Sequence, residues 1–402
     1  MAAVSLESIC TRISSGGTPS RKNSDYFSSI PEGHRWVKSK ELLDCAIEET
    51  EERISEAGLK NSSAKFYPAH SVLVAMYGAN VGQLGWLKVP ATVNQAICGL
   101  VVDEQKADWR FVFYSLLLNR GDLTIQAQGA AQQNLNQDLI RKFCIEVPPL
   151  PIQRRIAGIL SAYDALIENS QRRIKILESM ARALYREWFV HFRFPGHESV
   201  PRVPSALGEI PEGWEEKPFS TVASYVNGYA FKPGDWSTDG KPIIKIKELK
   251  AGVTADTPRN SGDGIPEKYH IRDGDILFSW SADLDAYLWM GGEGLLNQHL
   301  FNVVPFDGLT RTFCCHALKE AMPRFRALSL GATMQHIKRS ALDQVSTVVP
   351  PAAMRTHFDE VVEPIHKQLI TLTRHVQNLR RTRDLLLPRL LSGQIDVAAM
   401  PA

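Results

Sequence analysis

Amide and basic side chains are the groups in this chain best suited to recognising a ligand. Gln132-Gln133-Asn134 follow Gly129, and Gln335-His336-Ile337-Lys338 follow Gly331. Asn and Gln can bond an adenine edge through two atoms at once, and Arg or Lys can do the same to guanine. Lysines, hydroxyls and backbone amides suit phosphates. More residues of these kinds lie at Thr18, Ser20, Arg21, Lys22, Lys38 and Lys40, and at Tyr77, Asn80 and Gln83. Their counterparts in the second half are Tyr229, Lys232, Lys245, Lys247, Trp280, Thr333 and Lys338. Amides also cap helices and close turns, so for Gln133 and Gln335 a capping or packing role has at least as strong a claim as base contact.

Catalytic signals are weak. No Gly-x-x-x-x-Gly-Lys-Ser/Thr loop, His-Glu-x-x-His pair or Gly-x-Ser-x-Gly elbow occurs. Gly78-Ala79-Asn80-Val81-Gly82-Gln83-Leu84-Gly85 lacks the following lysine and reads as a turn between strands. Neither Val-Pro-Pro run carries the Asn or Asp that amino-methyltransferases place before two prolines. The best enzymatic candidates are the Glu-x-Lys triplets Glu104-Gln105-Lys106 and Glu248-Leu249-Lys250, a pattern of metal-dependent nucleases but common by chance. The six cysteines form no Cys-x-x-Cys pair, so neither a zinc site nor a redox pair is expected. Scattered cysteines without a basic-then-apolar start point to the cytoplasm. No apolar run reaches the roughly 20 residues of a membrane helix. The net charge of +2 neither demands nor excludes nucleic acid.

The elements that must carry these residues occur twice. Gly129-Ala130-Ala131-Gln132-Gln133-Asn134-Leu135 is answered by Gly331-Ala332-Thr333-Met334-Gln335-His336-Ile337, an offset of 331 − 129 = 202 residues. Val147-Pro148-Pro149 returns at the same offset as Val349-Pro350-Pro351. Asn94-Gln95 echoes Asn297-Gln298, and Lys40-Glu41-Leu42 echoes Lys247-Glu248-Leu249. Such a period is the size of a domain with its connector. Each copy mixes apolar strand-like runs with turn residues. The runs are Ser71–Tyr77, Ala96–Val102, Thr221–Ala223, Pro242–Ile246 and Asp275–Trp280, and helices are predicted over Trp109–Leu118 and Arg311–Leu328, the latter interrupted or ended at Pro323.

After each Val-Pro-Pro an apolar seam repeats in alternating steps of four and three. The first runs through Ile152, Ile156, Ile159, Tyr163, Leu166, Ser170, Ile174, Leu177, Ala181, Leu184 and Trp188. The second runs through Phe358, Val362, Ile365, Leu369, Leu372, Val376, Leu379, Arg383, Leu386 and Leu390, with an arginine on the seam and Pro364 either kinking the helix or marking its start. Two matching stripes most simply cover each other as an antiparallel pair. The expected fold is α+β: two similar globular domains, residues 1–149 and 197–347, with long helices over 150–196 and 348–402.

The layout resembles the specificity subunit of type I restriction–modification systems. The matching features are Ile210-Pro211-Glu212-Gly213-Trp214, the Gly-x-x-x-Gln run near each domain end, both Val-Pro-Pro–helix junctions, and Leu385-Leu386-Leu387-Pro388-Arg389-Leu390-Leu391-Ser392-Gly393-Gln394-Ile395. The first copy lacks the Ile-Pro-x-Gly-Trp opening at its start, and the final helix ends more basic than the first. The resemblance implies a non-catalytic subunit that reads a split sequence in double-stranded DNA, one half per domain, without a metal of its own. It implies two methyltransferase subunits as partners, and restriction subunits where the system has them. S-adenosylmethionine, ATP and magnesium would belong to those partners. Trp188, Phe189 and Leu385–Leu391 are the docking candidates. The alternatives are a stand-alone nuclease using a Glu-x-Lys site and a scaffold that does not bind DNA.

Overall fold

Short β-branched and aromatic runs, broken by glycine and asparagine turns, build paired sheets in each half of the chain. A computed structural model describes residues 2–29, 31–128, 134–281, 283–328 and 337–399. The chain divides into two compact units, Met1–Ala165 with Leu379–Ala402, and Leu166–Asn378.

The first unit contains β1 (Cys10–Ser15), β2 (His34–Val37), β3 (Val72–Ala75), β4 (Ala91–Val93), β5 (Ile97–Val102) and helix α1 (Trp109–Leu118). Helix α2 (Leu150–Phe189) starts in it. One sheet has the order β1, β5, β3, Leu84–Leu87, Cys45–Ile47; the other has Phe27–Ser28, Arg53–Ile54, β2, β4, Phe66–Tyr67. β4 lies parallel to β2, and β5 is antiparallel to both its neighbours. Val72, Leu73 and Val74 are all fully buried, so β3 has core on both faces, which explains its unbroken apolar run.

The second unit repeats the plan with β6 (Ala223–Asn227), β7 (Lys241–Ile244), β8 (Ile276–Ser279), β9 (Gly294–Leu296), β10 (Leu300–Pro305), α3 (Arg311–Leu328) and α4 (Ala352–Leu391). Its sheets are β6, β10, β8, Asp285–Leu288 and Arg259–Asn260, β7, β9, His270–Ile271. β7 and β9 are again the parallel pair. Each unit also closes with an edge pair, Ala2–Ser5 on Cys144–Val147 and Glu215–Pro218 on Ser346–Val349. Ala2–Ser5 is thus the equivalent of the strand that follows Trp214 in the second unit.

Both long helices contain 40 residues. Inside the first unit, Ile156 and Leu160 from the start of α2 share a core with Leu387, Leu390 and Leu391 from the end of α4. Inside the second, Phe358 and Val362 from the start of α4 share one with Tyr185, Trp188 and Phe189 from the end of α2. In each unit the beginning of one helix lies beside the end of the other, as an antiparallel pair requires. Trp188 and Phe189 are thus core residues, as are Leu387, Leu390 and Leu391, whereas Leu385 is 55% exposed.

The seam arginine has a half-buried acidic partner. Arg383 pairs with Asp164 at 2.6 Å, and the Tyr114 hydroxyl donates to the same carboxylate. The positions 202 residues on from Tyr114 and Asp164 are His316 and His366, whose Nε2 atoms lie 3.0 Å apart. A polar joint between domain helix and long helix is kept in both copies with different chemistry.

Three local expectations change. Leu166 is 51% exposed and its neighbour Ile167 is buried instead, because a 3.6-residue helix drifts off a strict heptad. Helix α4 begins at Ala352, so Pro364 lies inside it, and α3 continues through Pro323 to Leu328. Both prolines are exposed, where water can bond the carbonyl each leaves without a donor. Residues Phe219–Thr221 form a short 3-10 turn, and the strand starts only at Ala223.

Candidate nucleic-acid interface

The same turn is built once in each unit, where the chain leaves one sheet for the other. After β4, the Asn94 amide donates to the Val37 carbonyl at 2.9 Å, and Ile97 N–H donates back to the Asn94 carbonyl at 3.2 Å. The Asn94 side chain accepts the Ala96 amide at 3.1 Å, which fixes the turn. After β9, Asn297 donates to Ile244 at 3.1 Å and Leu300 donates to Asn297 at 3.0 Å. The Asn-Gln echo is therefore a shared turn, with asparagine closing it and glutamine at the next position.

A glycine segment lies against each turn. Gly16 and Gly17 donate to Ile97 and Val93 at 3.1 and 3.0 Å, and Gly228 and Tyr229 donate to Leu300 and Leu296 at 3.0 and 2.8 Å. A Cβ on Gly16 would sit 2.0 Å from the Val93 carbonyl oxygen, and one on Gly228 2.2 Å from that of Asn297. Only glycine allows this approach.

The surrounding side chains differ between copies. In the first unit, the Thr18 hydroxyl donates to Oε1 of the exposed Gln95. Tyr77, Asn80 and Gln83 are half-buried in the adjoining hairpin turn. Leu135 N–H donates to the Met76 carbonyl at 2.7 Å, holding the segment that follows the first Gly-x-x-x-Gln run. In the second unit, Ile337 N–H makes the matching bond to Trp280 at 3.0 Å, which brings the exposed Lys338 next to the site. The Trp280 indole N–H donates to Asn227 at 3.3 Å, and its ring lies 5.9 Å from that of His299. Gln298 donates from its backbone to Tyr229 at 3.0 Å. The Tyr229 ring meets Phe231 and Tyr269.

The remaining expected residues fall elsewhere. Arg21 pairs with Glu52 at 2.7 Å, Lys38 with Glu52 and Glu51 at 2.7 and 2.9 Å, and Lys40 with Glu51 at 2.6 Å. The Arg21 guanidinium holds the Glu52 carboxyl below its usual range, and Lys40 with Lys38 does so for Glu51. A phosphate would have to displace these carboxylates. Ser20 and Lys22 are exposed nearby. Lys232 caps a short turn through its amide on Asp235 at 2.7 Å, Lys245 lies 4.6 Å from the Trp236 ring, and Lys247 is exposed. Gln132, Gln133, Thr333, Gln335 and His336 lie outside the described residues.

Asn227, Gln95, Gln298 and His299 belong to the site but not to the residues expected from sequence. The repeated Asn-Gln was the available signal, and it spoke only for duplication. The nuclease candidates do not form a site. Glu104 is on an exposed loop. Glu248 is buried, accepting the Lys245 amide at 3.1 Å and the Thr257 hydroxyl at 3.3 Å. Among the described residues, no three His, Cys, Asp or Glu groups converge to hold a metal, and no helix is long and apolar enough to cross a membrane.

Residues 3–179 match the model of the type I restriction modification DNA specificity domain. The MjaIX type I restriction enzyme specificity subunit of Methanocaldococcus jannaschii is 24% identical, over 96% of this chain and 91% of its own. The EcoBI specificity subunit of Escherichia coli is 26% identical over 51% of this chain and 44% of its own. The crystal structure of the type I restriction–modification S subunit from M. genitalium shares the fold, with a TM-score of 0.60 at 15% identity, covering 97% of this chain and 95% of that one.

Proposed function

We propose that this chain is a type I restriction–modification specificity subunit, a non-catalytic member of its complex, and that each of its units reads one half of a split DNA sequence; the match of residues 3–179 to the specificity-domain model and the likeness to the MjaIX subunit support this. The carrying observation is the duplicated turn: one backbone frame, built twice, with Thr18, Gln95, Ala96 and Met76 around the first and Asn227, Gln298, His299 and Trp280 around the second. A common frame with different side chains suits two readers of the same kind with different targets. Joining them makes the second binding event intramolecular.

The long helices set the gap between the two half-sequences. Methyltransferase subunits join the chain to modify adenine with S-adenosylmethionine, and restriction subunits, where present, bring ATP-driven translocation and magnesium-dependent cleavage, all in the cytoplasm. Selecting duplexes from a random pool with the chain and its methyltransferase subunits tests this. The expected product is two short constant blocks separated by an unspecified gap of fixed length. One continuous block, or no enrichment, contradicts it. The nuclease alternative predicts magnesium-dependent plasmid nicking by the chain alone.

A further inference from the structure

We infer that Gln95 and Gln298 make the same contact in both halves of the target, each bonding an adenine edge in the major groove. This rests on the DNA-reading function proposed above. Both glutamines follow the turn asparagine, on a backbone fixed by the same bonds to neighbouring strands. Packing does not dictate the residue type, because the neighbours have diverged: Ala96 is buried where His299 is exposed, and Met76 is buried where Trp280 is half-buried. Through that divergence the glutamine is kept.

The chemistry of the amide selects the base. Adenine offers an N7 acceptor beside an N6 donor, which a glutamine Nε2–H and Oε1 satisfy together; guanine offers two acceptors there. Thr18 already donates to Oε1 of Gln95, which orients the amide and leaves its second lone pair and both N–H groups for a base. In the second unit, Gln298 Nε2 lies 3.4 Å from the His299 ring, whose other nitrogen lies 3.4 Å from the Ser281 hydroxyl. Each copy thus has its own means of orienting the same amide. Differences between the half-sequences fall to Trp280, His299 and Asn227 against their smaller counterparts.

The test uses the complex with its methyltransferase subunits and duplexes of its own target. 7-Deazaadenine, which lacks the N7 acceptor, replaces each adenine in turn. The wild-type complex should lose about tenfold in affinity at one position in each half. Gln298→Ala should bind about tenfold more weakly and become indifferent to the substitution in one half while still responding in the other. Gln95→Ala should show the mirror pattern. The retained response to the other half shows that each variant is folded. If the wild type has a split target but neither variant loses its sensitivity, or only one does, the shared-contact inference is overturned and the function stands. If the wild type has no split target, the function itself fails.

Discussion

Asp164 accepts from Tyr114 and Arg383 together, and removing it leaves Tyr114 without its carboxylate and Arg383 with Asp384 alone. Asp164→Ala should destabilise the first unit by about 2 kcal/mol, a buried-pair loss discounted because the carboxylate is a third exposed. Chemical denaturation measures it, and an unchanged midpoint contradicts the joint. The matching histidines respond to pH. Burial pushes the His366 imidazole down from 6.5 to about 4, helped by the Lys319 charge and opposed by Glu363. Burial, His366 and Lys319 push His316 down as well, and the Tyr185 ring stacks on it. The unfolded chain then binds more protons than the folded one between about pH 6.5 and 4. Stability is full above that window and falls as the pH drops through it, by on the order of 3 kcal/mol for His366. His316→Tyr with His366→Asp, which imports the other unit's pair, should flatten the decline between pH 6.5 and 4.5. At this scale the sequence was least legible. The partners at Asp164 and His366 are 50 and more residues away in sequence, and nothing local announces them.

The helices were legible almost throughout, because periodicity reports burial directly. Ile156, Phe358, Val362, Leu369 and Val376 fall on the expected stripe and are buried. Leu166 departs from the stripe because a 3.6-residue helix drifts off a strict heptad, which turns Ile167 inward instead. Pro364 left a kink and a helix start equally open, because proline disfavours a helix interior; the helix runs through it, with the apolar residues on either side, Val362 and Ile365, packed into the core. Strand positions were legible from apolar runs, but their pairing was not, since Val37 meets Val93 across 56 residues. The prediction at this scale concerns length. Removing seven residues from the middle of α2 and the facing seven from α4 shortens the pair by about 10 Å. The gap in the target should then narrow by about three base pairs, with both half-sequences unchanged. A constant gap in the selected duplexes argues against the helices as spacers.

Across the whole molecule, duplication was the most legible property and explains the most. The 202-residue offset that links the two Val-Pro-Pro runs also links the start of α1 at Trp109 to that of α3 at Arg311, and Ile156 to Phe358. What the repeat concealed was division of labour. Arg21, Lys38 and Lys40 look like a DNA-facing patch but are balanced by Glu51 and Glu52, whereas the exposed Gln95 carries no charge to attract notice. Two equivalent frames with separate surroundings imply that each half of the target is read independently. Replacing residues 1–149 with the corresponding domain of a similar specificity subunit, expressing the chimera with its methyltransferase subunits, and mapping methylated adenines across the host genome tests this most directly. One half-sequence should change, with the other half and the gap retained. A chimera that alters both halves, or neither, contradicts the account.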